Sequence, residues 1–280
     1  MKLGLLESGD LDAALALSAG EGWNQTASDW SRLIRLEPSG CFAACEGNRL
    51  VGTVTTTTYG RAMAWIGMMV VHPDFRRQGI GAALVRLALD HLHGLGIASI
   101  KLDATPSGQP LYESLGFAAE VEIERRQGVA HPGAPLGPRR PNNESLRTLF
   151  ALDQSAYGAD RSRLLERLVA GGLGEPLLVE SEHGLPAGYA LARPGRTAVY
   201  IGPLVATTSS AAGQLLDGML ARFSGQEVCL DLHRGGLLEL GVLEARGLSK
   251  RRGLVRMHHG MRSDAGTARS ICASAGPEFG

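Results

Sequence analysis

A short loop rich in glycine and arginine is the part of this 280-residue sequence whose residue types point most directly to chemistry. It reads RRQGIG from Arg76 to Gly81, follows a strand-like run that ends at Pro73, and leads directly into a helical pattern. The first turn of a helix presents unpaired backbone N–H groups and the positive end of the helix dipole, and both attract anions. Glycine lets a phosphate approach the backbone, and arginine adds charge-assisted hydrogen bonds. The loop therefore predicts a pyrophosphate site; the alternative is an ordinary strand-to-helix turn with exposed arginines.

The loop is not one of the two widespread nucleotide-binding loops, because it lacks both Gly-Lys-Ser/Thr and the Gly-x-Gly-x-x-Gly spacing. It resembles a signature of the GCN5-related N-acetyltransferase (GNAT) family, Val-x-Pro-x-x-Arg-x-x-Gly-x-Gly/Ala, which reads VHPDFRRQGIG at residues 71–81. A second family signature, Leu-Tyr-Glu-x-Leu-Gly-Phe, follows as LYESLGF at residues 111–117. The two signatures stand in the family's order, and this resemblance covers residues 1–126.

The whole chain is also similar to a bacterial subgroup of this family that carries a second, degenerate acetyltransferase-like domain. The segments that carry this similarity are GWNQ at 22–25, GADR at 158–161 and YIGPLV at 200–205. The second half has VATTSSA at 205–211 where the phosphate loop would stand, with no arginine and no Gly-x-Gly. Its hydroxyls are candidates to cap the next helix. We therefore expect the second domain not to hold acetyl-CoA, and either to complete the acceptor pocket or to act as a structural support.

The resemblance implies that an acetyl group passes from acetyl-CoA, the cofactor, to an amine by direct attack in a ternary complex. In the family, the strand before the loop is bulged and splays away from its neighbour, and its backbone binds the pantetheine arm of CoA. That role maps onto Met69, Val70 and Val71. The pyrophosphate role maps onto the loop and the first helical turn: Arg76, Arg77, Gln78, Gly79, Ile80, Gly81 and Ala82.

Two further residues belong to the implied cofactor site. Tyr112 stands where a family tyrosine often donates a proton to the departing CoA thiolate, so it is the catalytic candidate; the alternative is a ring that only packs. Thr105 stands where the family often has asparagine, and this departure weakens the expected side-chain contact to the cofactor.

The candidates for the acceptor side are polar or aromatic residues at loop and strand ends. Trp23 and Asn24 lie in a loop that borders the acceptor pocket in the family, although the tryptophan could instead be a core plug. Asp103 ends a strand beside the expected cleft, where it would accept a proton from the amine or cap the following turn. The second half adds candidates that each have a structural alternative in capping, salt bridging or a strand end: Asp160, Arg161, Tyr200 and Asp231.

The pattern of elements predicts two domains of the same kind. A segment rich in proline and glycine at 127–142 predicts a linker between a catalytic domain at 1–126 and a degenerate domain at 143–262, followed by a flexible tail at 263–280. The pattern of each half predicts two helices, three strands, a helix, a strand, a helix and a strand, which indicates an internal duplication. The expected fold class is α+β: tandem GNAT-like domains, each with a mixed, mostly antiparallel twisted sheet flanked by helices.

The composition excludes several other classes of protein. Lys and Arg total 28, as do Asp and Glu, and the sequence pI is near 7.1, which gives no electrostatic argument for a nucleic-acid partner. There is no run of 18 apolar residues and no Cys-x-x-Cys pair, so we expect a cytoplasmic protein with no membrane partner and no metal, as a monomer or homodimer. The alternative functions are a non-catalytic sensor of CoA or acyl-CoA and a transferase for longer acyl groups.

Overall fold

The computed structural model describes residues 1–131, 143–262 and 266–280. The chain divides into two compact units, each assembled from separate stretches of the sequence. Unit 1 contains Met1–Glu120, Val255–Arg262 and Pro277–Gly280, and unit 2 contains Val121–Leu254 and Ser263–Gly276. Residues 132–142 of the predicted linker and 263–265 of the predicted tail lie outside the described residues.

The helices and strands follow the predicted order in both halves. The strands are β1 (Lys2–Leu5), β2 (Cys41–Glu46), β3 (Arg49–Tyr59), β4 (Met63–Val71), β5 (Ser99–Ala104), β6 (Ala118–Val129), β7 (Leu177–Glu180), β8 (Pro186–Arg193), β9 (Val199–Ala206), β10 (Glu227–His233), β11 (Ser249–Gly260) and β12 (Ile271–Ala273). The helices are α1 (Leu11–Gly20), α2 (Ala27–Leu36), α3 (Ile80–Gly94), α4 (Gln109–Glu113), α5 (Asn143–Tyr157), α6 (Ser162–Ala170), α7 (Ser209–Arg222) and α8 (Leu240–Glu244). The α+β fold class is confirmed, whereas β1 and β12 were not predicted. In the part of the chain that is described, none of the helices is long and apolar enough to span a membrane.

The sheet of unit 1 is mixed, as predicted. Strands β1 to β4 are antiparallel neighbours, β5 runs parallel to β4, and residues 255–260 of β11 pair antiparallel with β5. Helix α3 buries an apolar stripe that includes Leu84, Ala88 and Leu92 against this sheet. These residues recur at helical spacing, which is why the sequence pattern predicted the helix.

The sheet of unit 2 has the same plan. Strands β7, β8 and β9 are antiparallel neighbours, and β10 runs parallel to β9. Residues 123–129 of β6 pair antiparallel with β10. The two halves of the sequence have therefore exchanged their last strands: β6 closes the sheet of unit 2, and much of β11 closes that of unit 1. Residues 127–129 of the predicted linker belong to β6.

The last described residues are packed, so the expectation of a flexible tail was wrong for them. Strand β12 pairs with both β9 and β10, and Phe279 is completely buried. The small residues of this segment resemble a tail in composition. Cys272 and Ala273 are fully buried in the core of unit 2, where small side chains fit between two strands.

Candidate active site

Strand β4 has the two distortions that the family resemblance implied. Thr55 of β3 pairs with Gly67 of β4, and Thr53 pairs with Val70. An advance of two residues along β3 therefore corresponds to three residues along β4. The extra residue forms a β-bulge in which Met68 has a φ of 48° and its carbonyl accepts a 2.8 Å hydrogen bond from the Thr53 hydroxyl. A bulge at this position is therefore confirmed.

The splay between β4 and β5 is also confirmed. Within the described strands, their parallel ladder ends at the pair Trp65 and Lys101, although β4 continues to Val71 and β5 to Ala104. No described strand pairs with β4 on that side beyond Trp65. Backbone N–H and C=O groups left without a strand partner need other hydrogen bonds. The edge formed by the predicted residues 69–71 can therefore take an amide-bearing ligand.

The loop after β4 ends in a helix N-terminus that has no side-chain cap. Gly79 occupies the N-cap position of α3 with a φ of 81°, a conformation that favours glycine. The first turn of α3, which includes Ile80, Gly81 and Ala82, contains no acidic side chain. Arg77 and Gln78 are exposed beside it. The free N–H groups and the nearby guanidinium are suited to an anion, as the loop motif predicted.

Arg76 and Gly81 have environments that the motif alone did not show. The Arg76 guanidinium forms an ion pair with Glu21 and donates from Nε to the Val71 carbonyl at 2.9 Å. A Cβ atom at Gly81 would lie 3.3 Å from the Leu111 side chain. Arg76 therefore braces the loop, whereas the missing side chain of Gly81 leaves room for Leu111.

Tyr112 lies on α4 in the apolar core below this region. Its ring is 7% exposed and makes an edge-to-face contact with Phe117, at 5.8 Å between ring centroids. Burial raises the pKa of the phenol above its usual value, so the hydroxyl stays protonated well into the alkaline range. Among the described residues its hydroxyl has no hydrogen-bond partner. The ring packs, and the hydroxyl remains available as a proton donor, so the structure accommodates both roles of this residue.

Thr105 makes local contacts in the turn before α4. Its hydroxyl accepts a 3.1 Å hydrogen bond from the Gly108 amide and lies 3.1 Å from the Ser107 hydroxyl. Thr105 therefore stabilises the turn into α4, as a hydroxyl side chain before a short helix commonly does.

Asp103 is held by an arginine that the sequence analysis did not single out. Arg256 of β11 donates from Nε and Nη2 to the two carboxylate oxygens at 2.9 and 3.0 Å, and both side chains are buried. The guanidinium also lies 4.6 Å from the ring centroid of Trp65. The Asp103 carboxylate thus lies in a buried bidentate ion pair with the exchanged strand.

Unit 2 repeats this arrangement position by position. Trp65 pairs with Lys101, two residues before Asp103; Tyr200 pairs with Cys229, two residues before Asp231. In unit 2, Arg125 of β6 binds Asp231 at 2.7 and 2.6 Å and lies 5.5 Å from the Tyr200 ring centroid.

The neighbours of Asp231 favour its charged form. Burial by itself would raise the pKa of Asp231, but the Arg125 guanidinium, together with Arg252 and the hydrogen bond from Tyr200, lowers that pKa below its usual value. The Tyr200 hydroxyl donates to Asp231 at 3.0 Å. The polar candidates Tyr200 and Asp231 therefore have structural partners, and the shared register supports the predicted duplication.

Asp160 and Arg161, the other two candidates of the second half, also have structural partners. Asp160 is exposed and accepts a 2.9 Å hydrogen bond from the Ser162 amide at the start of α6, which lowers its pKa. Arg161 is 1% exposed and binds both carboxylate oxygens of Asp153, at 2.9 and 2.8 Å. One side chain faces solvent and the other the interior, so these sequence neighbours do not form one site.

The loop between α1 and α2 contacts Glu278, a residue that the sequence analysis did not single out. Trp23 is half-buried and Asn24 is buried, and the next residue, Gln25, donates from Nε2 to the Glu278 carboxylate at 2.7 Å. Both Gln25 and Glu278 belong to unit 1. No local pattern marks Glu278, because its partner is more than two hundred positions away in the sequence.

Unit 2 differs from unit 1 at the helix start and at the strand wedge. The Thr208 hydroxyl accepts a 3.1 Å hydrogen bond from the Ala211 amide and so caps α7, as predicted. Strands β9 and β10 pair at Val199 and Tyr200 and then diverge, but β12 pairs with both strands beyond that point. The chain itself fills the wedge that corresponds to the splay in unit 1.

The sequence matches established families in both halves. The "Acetyltransferase (GNAT) family" matches residues 13–117, and the "Acetyltransferase (GNAT) domain" matches residues 149–271. The chain belongs to the GNAT acetyltransferase family. It is a tandem GNAT protein and an N-acetyltransferase, an enzyme of the acyltransferase class, and the family generally uses acetyl-CoA as acyl donor.

Similar proteins agree with this assignment. The chain is 27% identical over 193 residues to the uncharacterized N-acetyltransferase YitH of Bacillus subtilis (strain 168), an alignment that covers 67% of this GNAT chain and 64% of YitH. It is 24% identical over 263 residues to the holothin acyltransferase of Pseudoalteromonas sp. (strain SANK 73390), covering 93% and 88% of the two chains. The crystal structure of a Pyrococcus horikoshii protein shares the fold with a TM-score of 0.83 at 21% identity, covering 100% of this chain and 95% of that one.

Proposed function

We propose that unit 1 binds one molecule of acetyl-CoA in the splay between β4 and β5 and transfers its acetyl group to an amine. The observation that carries this proposal is the pairing of a bulged, splayed β4 with an uncapped helix N-terminus at its end. The edge of Met69, Val70 and Val71 suits the amides of the pantetheine arm. The first turn of α3, with Arg77 beside it, suits the pyrophosphate.

The chemistry follows from what these groups supply. The neutral amine nitrogen attacks the thioester carbonyl, a C–N bond forms and the C–S bond breaks, and the thiolate of CoA leaves. The nitrogen releases one proton to water as the amide forms. Backbone N–H groups near the bulge, such as that of Val70, would hold the developing oxyanion. Tyr112 is protonated at neutral pH and would supply the proton that the thiolate takes up.

The second unit is proposed to hold no acetyl-CoA. The capped start of α7 leaves fewer amides for a phosphate, and β12 occupies the wedge that a pantetheine arm would need. The predictions of a cytoplasmic bacterial enzyme, monomeric or homodimeric and without a nucleic-acid partner, stand beside this proposal. The proposed acceptor is an amine of a small molecule or of a protein.

Isothermal titration calorimetry of the full chain with acetyl-CoA tests this proposal. We expect one site per chain. Two equivalent sites would contradict the role of β12, and absence of binding would contradict the proposed site. Titration with hexanoyl-CoA and a thiol-release assay with an amine then separate an acetyltransferase from a longer-chain acyltransferase and from a sensor that does not turn over.

A further inference from the structure

A surface cavity of about 510 Å³ lies in unit 1 between α1 and the start of β3. It is lined by one face of α1, by the turn between β2 and β3, by the first residues of β3 and by two residues after β4. A volume of this size is common in sites for small molecules. Among the described residues that line it, none belongs to β5, α3 or α4, so the cavity is separate from the splay between β4 and β5.

The wall on the α1 side is apolar and made of small side chains. Ala13, Ala16, Leu17 and Gly20 recur at the three- and four-residue spacing of one helix face. A Cβ atom added at Gly20 would meet no atom within 4 Å. Leu50 of β3 adds to the apolar lining. The small side chains leave the space open, and an apolar ligand body would exclude water from these walls.

Arg49 lines the same cavity, and two neighbouring rings hold its guanidinium. Its Nη2 donates to His72 Nε2 at 2.7 Å, and its Cζ lies 5.5 Å from the centroid of the Phe75 ring. The rings of His72 and Phe75 contact each other edge to face, with 5.8 Å between centroids. Because an arginine only donates, His72 Nε2 accepts, and the imidazole is therefore in its neutral form. Most N–H groups of the guanidinium remain for a ligand.

The charge of Arg49 is not neutralised by a carboxylate of the described residues. Glu46, its cross-strand neighbour, binds the Met1 amino group at 2.9 Å instead. Glu21 supplies the acidic side chain of the described lining, and it forms an ion pair with Arg76. The cavity thus presents one positive charge beside apolar walls, which suits a ligand with one negative charge and an apolar body.

We propose that this cavity binds a small monocarboxylic acid with an apolar body. The carboxylate accepts two N–H groups of Arg49, in the bidentate geometry that a guanidinium and a carboxylate favour. Asn48 is part of the lining and offers a further amide donor. The apolar body lies against α1 and Leu50. A phosphate dianion finds one positive charge here, and an amine finds a like charge.

The test compares the full-length wild type with Arg49→Gln, Ala16→Phe and the control Arg61→Gln. Arg61 is an exposed arginine of unit 1 in the turn between β3 and β4, at the other end of β3 from Arg49. Ala16 is exposed on α1, so phenylalanine there fills the cavity without removing a buried contact, and thermal unfolding checks the fold. Ligand-observed NMR titrations measure the Kd of phenylacetate, hexanoate and the neutral phenylacetamide, each with and without saturating CoA.

We expect both acids to bind the wild type and the control equally, and phenylacetamide to bind about tenfold more weakly than phenylacetate. Arg49→Gln should weaken binding of the acids about 10- to 100-fold, the range for a lost hydrogen bond to a charged group. Ala16→Phe should abolish binding because it fills the space. Saturating CoA should leave the Kd of phenylacetate unchanged, since the cavity and the proposed CoA site share no residue.

Four results would overturn the inference: no binding of either acid, equal affinities for phenylacetate and phenylacetamide, displacement of phenylacetate by CoA, or unchanged binding of the acids in either Arg49→Gln or Ala16→Phe. Absence of acetyl-CoA binding with normal phenylacetate binding would overturn the proposed function alone.

Discussion

Replacing Arg256 with methionine should destabilise unit 1 strongly, because it would leave a buried carboxylate without its partner. The Asp103 side chain is fully buried, and Arg256 is 4% exposed. Two hydrogen bonds at 2.9 and 3.0 Å join them. Removing one member of such a buried pair typically costs about 3–5 kcal/mol, whereas an exposed ion pair is worth at most about 1 kcal/mol.

Urea unfolding followed by tryptophan fluorescence measures this effect, since the guanidinium lies 4.6 Å from the Trp65 ring centroid. Arg125→Met provides the matched comparison in unit 2, where the equivalent bonds to Asp231 are 2.7 and 2.6 Å. Its unfolding is followed by circular dichroism, because all three tryptophans lie in unit 1. We expect losses of similar size in the two variants. The chain has two units, so each transition should be fitted separately rather than as one two-state step.

The double variant Asp103→Asn with Arg256→Met measures how far the two side chains depend on each other for stability. Because it removes the unpaired charge, it should recover part of the free energy of unfolding lost in Arg256→Met alone. A loss below about 1 kcal/mol in Arg256→Met would show that Asp103 is hydrated or protonated after the change. That result would refute the argument that the exchanged strand supplies an obligatory partner.

Three further outcomes are expected. Gly81→Glu should weaken acetyl-CoA binding in calorimetry by tenfold or more, roughly the effect of a like charge at a helix N-terminal anion site. The control Gly213→Glu on α7, where an added Cβ meets no atom within 4 Å, should leave acetyl-CoA binding unchanged. Equal affinities of the two variants for acetyl-CoA would contradict the assigned loop. Tyr112→Phe should lower kcat about 100-fold with little change in the Kd of acetyl-CoA, since the ring still packs; an unchanged kcat would leave this residue a packing role. The pKa of Asp231 is lowered by Arg125 despite burial, so its stabilisation is present above about pH 4 and is lost as the pH falls through the lower folded value. Urea unfolding of Asp231→Asn should therefore depend less on pH in this range, and an unchanged slope would argue against the pair.

The loop and its surroundings were predictable because the relevant residues are close together in the sequence. The spacing of Arg76, Gly79 and Gly81 after a strand and before a helical pattern predicts a helix N-terminus with exposed amides from local sequence alone. The same holds for the capping role of Thr208, whose partner is three residues away. The bulge in β4 came from the family resemblance, since no residue type in that strand by itself requires it.

Only the tertiary structure decided which partners the charged residues would take. Asp103 and Arg256 are 153 positions apart, and Gln25 and Glu278 are 253 apart. Such pairs depend on which strand closes each sheet, and a periodic pattern of apolar residues is the same whether a strand pairs within its own half or with the other. The last residues illustrate the same limit: small side chains carry little hydrophobic signal, yet they fit the narrow wedge between β9 and β10 because they are small. The sequence by itself determined the helices, most of the strands and the chemistry of the loop, and the long-range pairing determined which wedge stayed open.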